Sequence, residues 1–391
     1  MTTPSFAEDL VDEERRREFV EVARDFAQRE IAPFAAEWDQ TEEFPADVIK
    51  RLGELGFLGL LVTEEHDGLG LDPVTYLMMI EEIAAADPSV SIALSVHNSL
   101  PCHILDTYGT PEQQERWLKP MARGELLAAF CVSEADSGSD LAGLRAHAEW
   151  NGSAWVLNGT KAWVTSGDVA DLLLVMVRTS MDASSRARGL SFFLVPAGTP
   201  GLGHGKAENK MGLRASRTTS LVLNNVELGP DHLIGEEGKG FHQAMVGLDN
   251  GRLGVAAQAI GIARSALDHS LKYAAERKQF EKPIKDFQGV SFMLADMATR
   301  LSAARALLHD AARAKQRGEA VTMRASMAKL FASEMAMYVT TQAVQIFGGY
   351  GYMRDYPVER LFRDAKVTEI YEGTSEVQRI VIARELYSNN D

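Results

Sequence analysis

Cysteine is scarce in this sequence: Cys102 and Cys131 are the only two among 391 residues. Two isolated cysteines are too few for a disulfide framework or a metal site, and we predict neither. No stretch of roughly 20 consecutive apolar residues, as in a membrane-spanning helix, occurs in the sequence. No basic-then-apolar signal peptide opens the chain, and its acidic start is unlike a mitochondrial transit peptide. We therefore expect a soluble, cytoplasmic protein that does not insert into membranes.

Basic residues are also in deficit, with 40 Lys and Arg against 55 Asp and Glu, and the net charge is −15. This balance argues against nucleic acid or an anionic membrane as the main partner. Three common motifs are missing as well: the glycine-rich dinucleotide fingerprint after a strand, the P-loop, and His-Glu-x-x-His. A Rossmann fold, a nucleotide triphosphatase and a zinc hydrolase are therefore unsupported.

The remaining pattern predicts an α+β protein in three domains. Hydrophobic residues make up 46% and charged residues 24%, which are ordinary globular values. Helical periodicity dominates residues 1–126, short strands and turns dominate residues 127–236, and long helices return over residues 237–391. We expect an N-terminal helical domain, a middle β-barrel-like domain and a C-terminal four-helix bundle.

The N-terminal domain contains a helix predicted from Pro73 to residue 86 and a buried helix predicted over residues 89–105. His97 and His103 lie on the buried segment. We interpret both as core or pocket histidines rather than as catalytic or metal-binding residues.

In the middle domain, Asn151-Gly152 and Asn158-Gly159 each predict a hairpin turn between short strands. The C-terminal domain contains long helical patterns over residues 240–273, 287–317 and 320–347. Three glycines in the first of these are predicted to allow close approach of a neighbouring helix or ligand. They are Gly251, Gly254 and Gly261.

A carboxylate stands at a turn just before the last helix, in the segment Ile-Tyr-Glu-Gly-Thr-Ser-Glu at residues 370–376. Ser375 with Gln378 three residues on predicts a capping box for that helix. Glu372, so placed, can be buried against a flat cofactor or substrate, which would raise its pKa and make it a base. Spacing alone leaves an ordinary exposed glutamate open.

Two segments of the middle domain could face a flat cofactor such as a flavin. The first places hydroxyls and backbone N–H groups beside an apolar strand, at residues 130–134 and 138–140. The second offers the Trp163 plane and the Thr165 hydroxyl on one side of a strand. Each alone is also compatible with plain sheet packing.

A third group of candidate cofactor-binding residues lies between and after the long C-terminal helices. Arg277 could hold a pyrophosphate with its planar fork, and Phe280 could cover an aromatic ring edge. Glycines in Gly-Gly-Tyr-Gly, residues 348–351, would let backbone approach a phosphate, although this run could also end a helix.

The decapeptide Ile-Tyr-Glu-Gly-Thr-Ser-Glu-Val-Gln-Arg, residues 370–379, resembles the C-terminal signature of the acyl-CoA dehydrogenases, FAD enzymes that desaturate acyl-CoA thioesters. The two middle segments and the Arg277 region are similar to the family's flavin-contacting segments, in the same order. The likeness covers nearly the whole chain and is strongest to the short-chain and short branched-chain members. One loop departs: family members usually have Glu-Pro-Gly where this chain has Glu134-Ala135-Asp136, so the resemblance leaves the backbone path of this loop open.

The resemblance implies that Glu372 is the base that removes the α-proton, with its own backbone N–H donating to the thioester oxygen. Related enzymes that take the base from elsewhere use the position of Gly251, which has no side chain here. Tyr371 and Gly373 would line the acyl pocket. The implied CoA-binding residues are Ser139, Asp249, Arg252 and Arg384. The implied FAD-binding residues are Phe130, Val132, Ser133, Ser139, Trp163, Thr165, Arg277, Phe280, Gln288, Gln345, Gly348, Gly349, Thr374 and Glu376.

The implied activity is oxidation of a short acyl-CoA to its trans-2-enoyl ester within fatty acid β-oxidation, with electrons passed to an electron-transferring flavoprotein. The implied assembly is a homotetramer in which Arg277 and Gln345 reach a neighbour's FAD. We expect His97, Asn98 and Leu100 to form a partly polar pocket floor, faced by Met245 and Leu248, that limits acyl length.

Three other interpretations remain open. An acyl-CoA oxidase or flavin monooxygenase would keep the FAD motifs and react with oxygen. A non-catalytic flavoprotein that binds a macromolecule, including DNA, would need a basic face that the acidic balance disfavours. A helical scaffold without cofactor would be excluded by a yellow colour of the purified protein.

Overall fold

The computed structural model describes residues 6–182 and 184–388, and places a sheet between two helical regions. Among these residues, no helix is both long and apolar enough to cross a bilayer. The N-terminal helices are α1 Phe6–Phe26, α2 Ala35–Thr41, α3 Ala46–Glu54, α4 Pro73–Ala86, α5 Pro88–His97, α6 His103–Tyr108, α7 Pro111–Gln113 and α8 Lys119–Ala122.

Helix α4 begins and ends where the sequence predicts. The Asp72 carboxylate accepts hydrogen bonds from the N–H groups of Val74 and Thr75, and Pro73 occupies the first helical position. The predicted buried helix over residues 89–105 is also helical and buried, but α5 passes into α6 through a π-helical turn, Asn98–Cys102. Pro101 lies inside that turn and cannot donate a regular helical hydrogen bond.

The middle region forms one eight-stranded sheet with the order β6-β7-β3-β2-β4-β5-β8, and β1 pairs in parallel with β4. The strands are β1 Ala128–Cys131, β2 His147–Trp150, β3 Trp155–Thr165, β4 Leu172–Arg178, β5 Leu190–Pro196, β6 Leu202–His204, β7 Thr218–Leu228 and β8 Leu233–Ile234.

One predicted hairpin is correct and one is wrong. The Asn151-Gly152 turn joins β2 to β3, where the Asn151 side chain accepts from the N–H groups of Ser153 and Ala154. Asn158-Gly159 makes no hairpin, because β3 runs through it with an irregularity in its pairing with β7. Gly159 has φ +137°, and a Cβ there would lie 2.6 Å from Cα of Ala146. The glycine therefore serves close strand packing.

The C-terminal region begins with a 37-residue helix that contacts α4, α5 and two further long helices. Its elements are α9 Gly240–Glu276, β9 Lys278–Gln279, β10 Lys282–Pro283, α10 Gln288–Gln316, α11 Thr322–Phe347, α12 Pro357–Lys366 and α13 Ser375–Ser388. The predicted role of its glycines is confirmed. A Cβ at Gly254 would lie 2.1 Å from Oγ of Ser95, and one at Gly261 would lie 2.6 Å from Cβ of Ala84.

A small apolar cluster lies where the three regions meet. Ile92, Val96 and Leu100 come from the N-terminal region, Leu213 from the sheet region and Val255 from α9. Phe130, Leu248, Val367 and Tyr371 pack around it. We call these nine residues the apolar wall. It lies between the strand of Phe130 and the turn that carries Glu372, and so borders the region where the predicted base and the predicted cofactor segments meet.

Candidate active site

Glu372 stands on a left-handed turn immediately before α13. Its φ is +54° and that of Gly373 is +88°, which is unusual for a glutamate and natural for a glycine. The Gln378 side-chain amide donates to the carbonyl oxygens of Glu372 at 3.1 Å and Gly373 at 2.8 Å. The Lys329 ammonium donates to the same Gly373 oxygen at 2.8 Å. The turn is therefore held from two sides.

The capping box predicted at Ser375 is wrong. Helix α13 begins at Ser375, and Oγ1 of Thr374 accepts from the Val377 N–H at 3.3 Å. Oγ of Ser375 is buried with no partner among the described residues. Gln378 is used to hold the preceding turn, so it does not complete a box.

The Glu372 carboxylate has the environment of a base. The residue keeps partial exposure, but Oε2 is buried and has no hydrogen-bond partner among the described residues. Burial raises the pKa of Glu372 to about 7, against the opposing effect of the Arg252 and Lys329 cations. A Cβ at Gly251 would lie only 2.5 Å from Oε2, so the carboxylate occupies the space that a side chain on α9 would fill.

Its two neighbouring carboxylates are placed differently. Glu369 accepts from the Lys366 ammonium, and Glu376 is exposed on the first turn of α13. The Glu372 backbone N–H finds no acceptor in the described part of the chain, and is therefore available to a ligand. A buried carboxylate with a raised pKa can accept a proton from a ligand bound beside it, and an N–H without an acceptor can donate a hydrogen bond to that ligand.

The two predicted cofactor segments of the sheet lie side by side. The Ala162 N–H donates to the Ser133 carbonyl at 2.9 Å, which joins the segment that follows β1 to β3, the strand of Trp163 and Thr165. A bulge between Lys161 and Val164 gives Trp163 a φ of +60° and leaves it 64% exposed. An exposed indole beside hydroxyls and an apolar strand fits the ring of a bound flavin.

The loop that departs from the family pattern has a defined path. Glu134 and Ser137 exchange backbone hydrogen bonds of 3.0 and 3.1 Å, so Ala135 and Asp136 form a tight turn. The Glu134 carboxylate accepts from the fully buried Lys161 ammonium at 2.9 Å and from the N–H groups of Arg145 and Ala146. Glu134 is thus an internal anchor beneath the cofactor segments.

We expect Glu134→Ala to lower the thermal unfolding midpoint by about 5 °C or more, because it leaves a buried ammonium uncompensated at about 3–5 kcal/mol. Circular dichroism melting measures this. The double change Glu134→Gln with Lys161→Met removes both charges and should recover most of the loss. A single variant that melts with the wild type would contradict the anchoring role.

Arg252, Asp249 and Tyr371, which are predicted to bind the substrate, form hydrogen bonds within the protein. Arg252 donates to Asp249, which also accepts from Thr322 at 2.7 Å, and the Arg252 cation acts on Glu372. Tyr371 belongs to the apolar wall, and its hydroxyl donates to Gln258. Ser139 is exposed in the loop between β1 and β2, and Arg384 on α13 donates to Glu385. The roles of Ser139 and Arg384 stay predictions.

The pocket floor predicted from His97 and Asn98 is wrong in its chemistry. His97 accepts from the Ala128 N–H and contacts the Met121 carbonyl, while Asn98 bonds to three backbone groups. Both are fully buried, and their polar atoms are satisfied within the protein. Burial lowers the pKa of His97 to about 4, as expected for a core histidine. The surface beside Tyr371 is apolar, and Met245 packs elsewhere.

A second concave region lies at the junction of α9, α11 and the β9–β10 hairpin, with a volume of about 580 Å³. Arg277, Gly348 and Gly349 line it, and the Arg277 guanidinium lies 5.4 Å from the Tyr350 ring centre. Phe280 is 87% exposed, and Gln288 and Gln345 are exposed nearby in sequence. This cavity shares no lining residue with the apolar wall.

Sequence reasoning missed Lys329 and the turn-holding role of Gln378. Lys329 lies on a helix face otherwise made of Ala and Ser, at the four-residue spacing between Ala325 and Ser333. A lone lysine on such a face is the one signal that could have pointed to it.

The chain matches three family models in succession. They are described as the N-terminal, middle and C-terminal domains of acyl-CoA dehydrogenase, and cover residues 13–125, 129–226 and 238–387. A short-chain-specific acyl-CoA dehydrogenase of Clostridium acetobutylicum is 43% identical, over 95% of this chain and 98% of that protein.

Two solved structures resemble the whole fold. Butyryl-CoA dehydrogenase of Megasphaera elsdenii has a TM-score of 0.93 at 42% identity, covering 95% of this chain and 98% of that one. A second chain was solved in a study of the electron-transferring flavoprotein of Acidaminococcus fermentans and flavin-based electron bifurcation. It has a TM-score of 0.93 at 43% identity, and the match covers 95% of this chain and 97% of that one.

Fold and site together thus define a three-domain flavoprotein oxidoreductase acting on CH–CH bonds, with FAD as its cofactor. More particularly, the chain belongs to the acyl-CoA dehydrogenase family. The predicted family, fold class and cofactor are confirmed.

Proposed function

We propose that this protein oxidises short-chain acyl-CoA thioesters to trans-2-enoyl-CoA esters. The observation that carries the proposal is the Glu372 carboxylate, whose Oε2 is buried without a hydrogen-bond partner among the described residues and lies against Gly251 and beside the apolar wall. The short-chain-specific and butyryl-CoA relatives support a small acyl group.

In this mechanism the thioester binds with its α-carbon beside Glu372, and the α-C–H bond breaks as the proton passes to the carboxylate. The Glu372 N–H, free of acceptors in the described part of the chain, would donate to the thioester oxygen and stabilise the negative charge that develops there. When bound, FAD supplies the acceptor for the β-hydrogen and its electron pair, so that a carbon–carbon double bond remains. Exclusion of water by the apolar wall keeps the carboxylate basic.

The proposed cofactor contacts come from two places. Phe130, Val132, Ser133, Ser139, Trp163 and Thr165 would face the flavin within one subunit, with Thr374 and Glu376 near the Glu372 turn. The cavity lined by Arg277, Gly348 and Gly349 has no part in the apolar wall, which supports its use for a neighbour's FAD, together with Phe280, Gln288 and Gln345.

We infer that an electron-transferring flavoprotein accepts the electrons. The relation to the Acidaminococcus chain supports this, and the described residues contain no cluster of metal-binding side chains that could serve as a second redox centre. Rapid hydrogen peroxide formation with substrate and air alone would instead support the oxidase alternative.

The proposal includes domain boundaries after residues 126 and 236, and a cytoplasmic location. The three family-model matches support the boundaries, as do the first residues of β1 and α9 at Ala128 and Gly240. The bacterial relatives support the location.

We expect the protein to assemble as a homotetramer, because the proposed neighbour-FAD contacts require at least two subunits. Sedimentation equilibrium should give a mass near four times 42.8 kDa. Arg277→Ala should weaken FAD retention, whereas Arg313→Ala, on the exposed side of α10, should not. An FAD-loaded monomer would contradict this assembly.

The direct test of function is anaerobic bleaching of the flavin absorbance by a series of acyl-CoA esters. We expect kcat/KM to peak at butyryl-CoA or a similarly short ester, with or without a 2-methyl branch. Each added methylene contributes about 0.8 kcal/mol only while the apolar wall leaves room. A profile still rising at palmitoyl-CoA would overturn the short-chain assignment, and absence of bleaching by every ester would overturn the dehydrogenase function.

A further inference from the structure

Lys329 is a buried cation that the mechanism so far does not use. It lies on α11, is fully buried, and donates a hydrogen bond to the Gly373 carbonyl at 2.8 Å. Lysine is rarely buried unless it is paired or serves a function. Its charge interacts most strongly with Glu372, which makes the base its principal electrostatic partner.

The hydrogen bond from Lys329 holds the turn that carries Glu372. Gly373 follows Glu372 directly, and both residues have positive φ. The direction of the Glu372 side chain therefore depends on how the backbone of Gly373, including its carbonyl group, is held. Gln378 donates to the same oxygen from α13, while Lys329 approaches from α11. The two donors together fix the carbonyl and, through it, the carboxylate over Gly251.

Building on the proposed function, we propose that Lys329 is a positioning residue for proton abstraction: its ammonium fixes the Glu372 turn and favours the carboxylate form of the base. This assigns the residue a role in geometry and in charge, and the two can be separated by substitution.

The electrostatics have a definite sign. Burial lowers the pKa of Lys329 to about 8 and raises that of Glu372 to about 7, so ammonium and carboxylate coexist near neutral pH. The Lys329 charge opposes the rise in the pKa of Glu372, and its removal should push that pKa further up. The other groups that act on this pair are Arg252 from α9, Tyr76 from α4, and Tyr371, Glu369 and Glu376 along the turn segment.

The experiment compares Lys329→Met with Ser333→Ala in FAD-loaded enzyme. Ser333 lies one turn along α11 and is equally buried, and its hydroxyl bonds to the backbone carbonyls of Lys329 and Thr368, so its loss removes a buried hydrogen bond beside Lys329 without removing charge. The first readout is the infrared carbonyl band of protonated Glu372, assigned by its loss in Glu372→Gln and followed with pH in the absence of substrate.

We expect the midpoint of that band to rise by about one pH unit in Lys329→Met and to stay unchanged in Ser333→Ala. Flavin reduction by butyryl-CoA should slow by about 10–100-fold at pH 7, mostly in kcat, with the deficit narrowing as pH rises. Lys329→Gln, whose amide can still reach the Gly373 oxygen, should show the midpoint shift with a smaller loss of rate. The Lys329→Gln variant also replaces Lys329→Met in this experiment if the methionine variant does not retain FAD.

An unshifted midpoint in the Lys329 variants, with normal reduction of the wild type, would overturn this inference and leave the proposed function standing. Failure of every acyl-CoA to reduce the wild type would overturn the proposed function. The infrared midpoint requires no substrate, and it would still report whether Lys329 biases Glu372.

Discussion

Glu372→Gln is expected to retain fold, FAD and acyl-CoA binding while slowing anaerobic flavin reduction by about 10³-fold or more. The amide has nearly the same shape as the carboxylate but cannot take a proton, and loss of a general base costs about 10²–10⁴-fold. Oε2 of Glu372 has no protein partner to lose among the described residues, so the change should disturb the structure little. Stopped-flow absorbance with butyryl-CoA measures the rate, and the absorbance ratio of flavin to protein measures FAD content.

Glu369→Gln is the matched control, because Glu369 is only three residues away and pairs with Lys366. It should reduce the flavin at close to the wild-type rate. Bleaching of Glu372→Gln at that same rate would show that another group removes the proton.

The wild-type pH profile follows from the same carboxylate. Since burial raises the pKa of Glu372 to about 7, kcat/KM should rise with pH through that region as the base becomes ionised. The Glu369→Gln enzyme should retain this acid limb.

Gly251→Ala is expected to slow flavin reduction by about 10²-fold, although it adds a single methyl group. That Cβ would lie 2.5 Å from Oε2 and 2.9 Å from Cδ of Glu372, so the carboxylate would have to move. A displacement of about 1 Å of a catalytic group can cost about 10²-fold in rate. Alanine is otherwise preferred to glycine within a helix, so the thermal unfolding midpoint should not fall.

Gly289→Ala provides the comparison, because Gly289 is also helical and an added Cβ there would meet nothing within 4 Å. That variant should reduce its flavin normally. If Gly251→Ala did the same, the carboxylate would not depend on the space above Gly251, and its observed position would not be the reactive one.

Much of the architecture could be predicted because it depends on residues that are close together in the sequence. Asp72 and Pro73 specify the start of α4, and the apolar spacing over the long C-terminal segments specifies α9, α10 and α11. The signature at residues 370–379 likewise points to Glu372 through its immediate neighbours in the chain. Local sequence carries these features since each depends on residues within a few turns of one another.

The errors and omissions concern contacts between distant segments. Gly159 has the neighbours of a turn residue, yet it is Ala146 packed against it that requires a glycine there. Ser375 has the spacing of a cap, but Gln378 bonds to the preceding turn instead. The polar atoms of His97 are taken up by residues more than twenty positions away, and Lys329 approaches Gly373 across 44 positions. No spacing rule within one segment contains this information.

The central claim is that Glu372 removes an α-proton from a bound thioester, and hydrogen exchange tests it without relying on electron transfer. Acetyl-CoA has no β-hydrogen, so the reaction can proceed only as far as the α-proton. Incubated in D₂O with the FAD-loaded wild type, its methyl group should gain deuterium, followed by proton NMR, whereas Glu372→Gln should produce no exchange above the uncatalysed background. Exchange by Glu372→Gln at the wild-type rate would contradict the account.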